Sequence, residues 1–168
     1  MNSIIEGTLK RYEDMSYTAS VAFGLAFVDL MKENSDSEAE LRINLNGVVN
    51  HLTGAVETSM AHFVLNETYA DLVTESEKIY RSGLNVGFAN IDFNPVVLQK
   101  HFIPTDKIVY ISDKPLFSPS SPPQGGSLSG GTYVLVNYAD LGLVLYWTSQ
   151  AFAAVMDRLS DGKFATSA

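Results

Sequence analysis

Between residues 8 and 33, apolar and small side chains recur every three or four positions, at Leu9, Tyr12, Met15, Ala19, Ala22 and Ala26. That is the spacing of one helical face, so the segment is expected to be a helix. From Val21 onward the apolar residues run nearly all the way round, the pattern of a helix buried on several sides. Gly24 and the three alanines would let a neighbouring backbone, or a second subunit, approach closely. Asn34 to Ser37 reads as a loop, and Ser37 with Glu40 has the spacing of a capping box. Residues 40–46 carry two patterns at once. Leu41, Ile43 and Leu45 alternate with Arg42, Asn44 and Asn46 as in a strand ending at the Asn46-Gly47 turn. Leu41, Leu45, Val48, Leu52 and Val56 repeat at helical spacing. From Val48 to Arg81 the helical spacing continues, with Lys78 and Arg81 in the last turn and Gly83 as the stop. Gly54 inside that run predicts a kink or a split into two helices.

After residue 84 the pattern changes. Leu84 to Phe93 alternates weakly, as a strand would, and Asn94-Pro95 opens a short helix reaching about His101. Lys107 to Ser112 is a strand candidate. Residues 113–131 hold four prolines, four glycines and five serines, which predicts an open, flexible loop rather than packed core. Thr132–Tyr138 and Leu143–Thr148, separated by Ala139-Asp140-Leu141-Gly142, read as a β-hairpin. Thr148 or Ser149 then caps a final helix over Gln150–Leu159.

The expected fold is therefore α+β, one domain over residues 1–168. A helical N-terminal half (about 8–82) packs on a small, mainly antiparallel sheet in the mixed part (about 84–160), with a C-terminal β-hairpin and final helix.

Composition refines this picture. The chain has 168 residues and no cysteine, so disulfides, thiol catalysis and thiolate metal sites are absent. Charged residues are 18% against 46% hydrophobic, and the net charge is −8. Segments 1–34, 36–82 and 83–168 carry −2, −5 and −1, so the acidity is concentrated in the middle. Such a field repels phosphate backbones, so a basic partner, or simple solubility, is a better reading than nucleic-acid binding. The N-terminus lacks the pattern of a signal peptide, and the apolar run 19–31 is too short to span a bilayer. Localisation is left open, with cytoplasmic or virion-associated as the default.

Candidate chemistry is sparse. His51 and His62 would lie roughly 16 Å apart along a continuous helix, too far for one metal, and no ligand spacing points to a metal or cofactor. Gly126-Ser127-Leu128-Ser129-Gly130 lacks the strand-to-helix turn of a nucleophile elbow. Glu67, Asp71 and Glu75 fall at successive i, i+4 positions, either a solvated face or a docking stripe for a basic partner or a divalent cation. Tyr146 and Trp147 are adjacent on the hairpin and face opposite ways, one to the core and one available to a partner. These five residues are the expected interface.

The function expected is that of a non-catalytic structural or interaction protein, such as a virion-type assembly component, acting through self-association or a protein partner. The alternative is a small-molecule binder or enzyme with a pocket under the 113–131 loop, lined by His101, Asp106 or Tyr110. A third reading is an acidic inhibitor that mimics nucleic acid.

Overall fold

The protein is seen here as a computed structural model that describes residues 3–13, 15–51, 56–57, 62–81, 88–93, 99–114 and 131–159, with only the backbone for 56–57, 88–93 and 99–100. Strands dominate. In chain order they are β1 (Ile4–Tyr12), β2 (Met15–Gly24), β3 (Val28–Glu33), β4 (Glu38–Ile43), β5 (Val48–Asn50), β6 (Val56–Glu57) and β7 (His62–Thr68). After α1 (Tyr69–Arg81) come β8 (Phe88–Phe93), β9 (Gln99–Pro104), β10 (Ile108–Ser112), β11 (Thr132–Tyr138), β12 (Gly142–Thr148) and α2 (Phe152–Asp157). Among the described residues these are the only two α-helices, and neither is long and apolar enough to cross a membrane.

The helical N-terminal half is thus replaced by strands. Residues 8–33 form most of a β1–β2 hairpin, a single 3-10 turn at Leu25–Phe27, and β3. Over most of its length β2 alternates, with Met15, Tyr17, Ala19, Val21 and Phe23 on one core and Ser16, Thr18 and Ser20 facing away, until Ala22 joins the second core. Tyr12, Met15, Ala19 and Ala22 also keep a three-to-four spacing, so both periods coexist in the segment. Ser37 caps no helix; it lies at φ 64° in the β3–β4 turn, where Asn34 Oδ1 accepts the N–H groups of Asp36 and Glu38. The double pattern at 40–46 resolves to β4 over its first part, and of the described residues in the expected 48–81 helix only 69–81 are helical. Thr68 Oγ1 accepts the Asp71 N–H at 3.2 Å, an N-terminal cap for α1. Residues 99–101, expected in a helix, belong to β9. Gly54, Gly83, residues 94–98 and most of the 113–131 loop lie outside the described residues. The hairpin falls where its pattern puts it, and α2 is shorter than expected, with Ala151 rather than Thr148 or Ser149 at its N-cap.

Ten strands form one sheet in the order β3-β4-β7-β1-β2-β10-β11-β12-β5-β6, antiparallel throughout except between β12 and β5. This order forces the sheet to curl. β4 and β5 are second and ninth in it, which on a flat sheet would be about 34 Å apart. The chain from Ile43 to Val48 can reach at most roughly 18 Å. The sheet therefore wraps into an open barrel around a core that includes Leu9, Tyr12, Phe23, Leu41, Phe63, Leu135 and Trp147. From α1, Leu72 and Ile79 enter the same core. Behind β10–β12 a second core of Ile108, Ile111, Val134, Val136 and Tyr146 is covered by Val155, Phe152 and Met156 of α2. The separate β8–β9 ribbon packs beside β12.

Candidate interaction site

Beside the start of β1, where α1 leaves β7, lies a cleft of about 360 Å³. Ile4, Ile5, Leu72 and Ile79 give it apolar walls, and Glu6, Glu67, Asp71 and Glu75 line it with carboxylates. The four apolar side chains are buried, at 3–8% exposure, while Glu6, Asp71 and Glu75 are exposed. Glu67 is the inner acid of the set. Its Oε1 accepts the Thr8 backbone N–H at 2.6 Å, which anchors the carboxylate over β1. Glu75 pairs with Lys78 at 3.0 Å, an exposed contact of the kind worth at most about 1 kcal/mol and readily exchanged.

The stripe Glu67, Asp71 and Glu75 is therefore gathered into one site, only in part by helical periodicity: Asp71 and Glu75 share one face of α1. Glu67 is in β7 and precedes the helix; the β7-to-α1 junction turns the other two toward it. Glu6, not anticipated from the sequence, joins them because β1 lies beside β7 in the sheet. No local pattern carries that information.

Tyr146 and Trp147 do face opposite ways, and each is only 7% exposed. Trp147 belongs to the barrel core and Tyr146 to the second core. Tyr146 also walls a cleft of about 450 Å³ with Val49, His51, Leu141 and Val144. Its ring lies 4.7 Å from that of His51 and 5.1 Å from that of His101, and its hydroxyl is 2.7 Å from that of Tyr138. Burial, and then the Tyr138 hydrogen bond, push the Tyr146 hydroxyl well above its ordinary range, so it is a neutral phenol at physiological pH. Burial, and then the nearby His101, push the His51 imidazole below 6.5. His51 Nε2 is buried and has no hydrogen-bond partner among the described residues.

The 115–130 part of the loop expected to cover a pocket lined by His101, Asp106 or Tyr110 lies outside the described residues. Tyr110 is fully buried in the barrel core, and Asp106 lies in a 3-10 turn between β9 and β10. His62 sits in β7, where its Nε2 is 3.0 Å from Glu40 Oε2. That hydrogen bond holds the Glu40 carboxyl below its ordinary range. Among the described residues no three His, Asp or Glu side chains cluster in a way that could hold a metal ion.

No family model, curated protein or solved structure matches this chain. The chemistry of its surface is accordingly the ground for a functional reading.

Proposed function

We propose that the protein is a non-catalytic interaction protein whose acidic cleft takes a basic, amphipathic segment of a partner protein. The observation that carries this reading is the pairing of carboxylates with an apolar interior. Glu6, Glu67, Asp71 and Glu75 surround a cleft walled by Ile4, Ile5, Leu72 and Ile79. A partner's leucine- or isoleucine-type side chain would enter the cleft while flanking lysines or arginines meet the carboxylates. Apolar contact then supplies the anchor, and charge supplies orientation and encounter rate. The net charge of −8 works in the same direction by attracting a cationic segment over a longer range.

The test is fluorescence anisotropy with a labelled lysine-rich amphipathic peptide, against an acidic peptide of matched hydrophobicity. The basic peptide is expected to bind, with affinity falling as salt rises. The triple variant Glu6→Gln, Asp71→Asn, Glu75→Gln changes only exposed carboxylates and is expected to lose about tenfold or more, roughly 1.4 kcal/mol. Equal binding of the acidic peptide, or an unchanged affinity in the variant, would end this reading.

A further inference from the structure

Where the β2–β3 and β4–β5 connections meet the β11–β12 turn, a further cleft of about 370 Å³ is lined by Phe27, Asp29, Asn44, Asn46, Asn137 and Leu143. We infer that this cleft is a binding site for a neutral saccharide. Its residues come from three separated parts of the chain: the β2–β3 connection and the start of β3, the β4–β5 connection, and the two sides of the β11–β12 turn. Only the curl of the sheet brings them together. The volume falls in the roughly 300–1,000 Å³ range of small-ligand sites.

The lining chemistry selects the ligand class. Each asparagine amide both donates and accepts hydrogen bonds, which matches a sugar hydroxyl that does the same. The Asp29 carboxylate only accepts, as suits a pair of vicinal hydroxyl donors. Asn44 Oδ1 accepts the Asn46 backbone N–H at 3.1 Å, so that its side-chain NH₂ is the group it offers outward. Within the chain, the side chains of Asp29, Asn46 and Asn137 have no hydrogen bond or ion pair among the described residues. Phe27, partly buried against the core, and Leu143 provide the apolar surface on which the C–H face of a sugar ring rests. Gly47 and Gly142 also line the cleft, with open space where a side chain would begin, so a ligand can approach the backbone there.

Other ligand classes fit less well. The lining holds one carboxylate and no cation, whereas a calcium site draws on several charged oxygens and a phosphate or nucleotide site needs basic groups. A wholly apolar ligand would bury the amides without partners, at a cost.

The experiment is an NMR titration of the isotopically labelled full chain with the methyl glycosides of glucose, galactose, mannose and N-acetylglucosamine, each separately, and with calcium chloride alone. At least one glycoside is expected to give saturable shifts concentrated at the backbone amides of Asn44, Asn46, Gly47, Asn137 and Gly142 and at the asparagine side-chain NH₂ signals. Asn46→Ala and Asn137→Ala alter polar, non-core positions, and each is expected to weaken binding by roughly three- to tenfold with the rest of the spectrum unchanged. The inference is overturned by the absence of saturable shifts with all four glycosides, or by shifts confined to other parts of the chain. It is equally overturned by calcium chloride moving these signals while the glycosides do not, or by both variants binding like the parent. These outcomes are independent of the acidic cleft, because none of its residues is shared.

Discussion

Gly24 ends β2 at the place where β10 begins, and a Cβ there would collide with the Ile108 carbonyl oxygen. Gly131 opens the hairpin at φ 76°, and a Cβ on it would meet the Thr148 carbonyl oxygen and the Trp147 indole. In both cases the obstruction includes backbone of a paired strand, which cannot step aside without breaking the ladder. Gly24→Ala and Gly131→Ala are therefore each expected to cost more than about 2 kcal/mol, read as a shift of the urea midpoint at constant slope. Gly47→Ala is the control: its φ of 73° is strained for alanine, but the space is empty, so a loss nearer 1 kcal/mol is expected. Equal losses at all three positions would show that conformational strain, and not close strand approach, sets the cost. None of these approaches is visible in the sequence, where Gly24 passes for a small residue on a helix. The acids of the cleft were legible as a stripe of three, whereas Glu6 needed the β1–β7 pairing.

Between elements, the contact of β5, β9 and β12 carries a pH dependence. His51 at the end of β5 and His101 in β9 both pack on Tyr146 of β12. Because burial and His101 hold the His51 pKa below 6.5 in the folded chain, the unfolded chain binds the proton more readily. Stability from this group is complete above pH 6.5, declines as pH falls from 6.5 to the depressed folded pKa, and is level below that. The Glu40 carboxyl acts in a lower window, losing its contribution as pH falls below its ordinary 4.5. His51→Phe keeps the aromatic contact and removes both the titration and a buried nitrogen that has no partner among the described residues. Urea melts at several pH values are expected to show a variant at least as stable as the parent and without the decline that starts at pH 6.5. A parallel decline in both proteins would refute this account.

The same strands show why elements were misread. β2 carries two periods at once: Met15, Tyr17, Ala19, Val21 and Phe23 alternate with Ser16, Thr18 and Ser20 as in a strand, while Tyr12, Met15, Ala19 and Ala22 keep helical spacing, and from Val21 the strand is buried on both faces. β11 and β12 are also buried on both faces, with Tyr133 opposite Trp147 in one core and Val134 opposite Tyr146 in the other. They were legible because a tight turn and a dense run of β-branched and aromatic residues mark them, whereas β2 mixes Tyr17, Thr18, Val21 and Phe23 with small alanines and serines.

For the whole molecule, the chief change is that no apolar helix stands ready for a second subunit. Ala19 and residues 21–25 are buried within the chain's own fold, and at the β3 edge Asp29, Lys32 and Glu33 are exposed beside Leu30. Charges on an edge strand oppose continued strand pairing, and copies with a net charge of −8 repel one another at low salt. Size exclusion with light scattering at low ionic strength is expected to give a monomer of 18.3 kDa. A stable dimer under those conditions would restore self-association as the mode of action. This reading therefore favours a different protein, with a basic surface, as the partner.

By itself the sequence determined what depends on neighbours a few residues apart. It specified the hairpin at 132–148, the strand at 108–112, the short last helix and the concentration of acids in the middle of the chain. It also excluded any chemistry that needs cysteine. The tertiary structure alone decided which pattern prevailed where two overlapped, and which distant residues share a site. Both depend on strand pairing between segments far apart in the chain. β4 and β5, only a few residues apart, must lie second and ninth in one sheet, and joining them curls that sheet into a barrel. That closure sets Asn44 and Asn46 beside Asn137, while β1 beside β7 sets Glu6 near Glu67. No local spacing encodes either meeting.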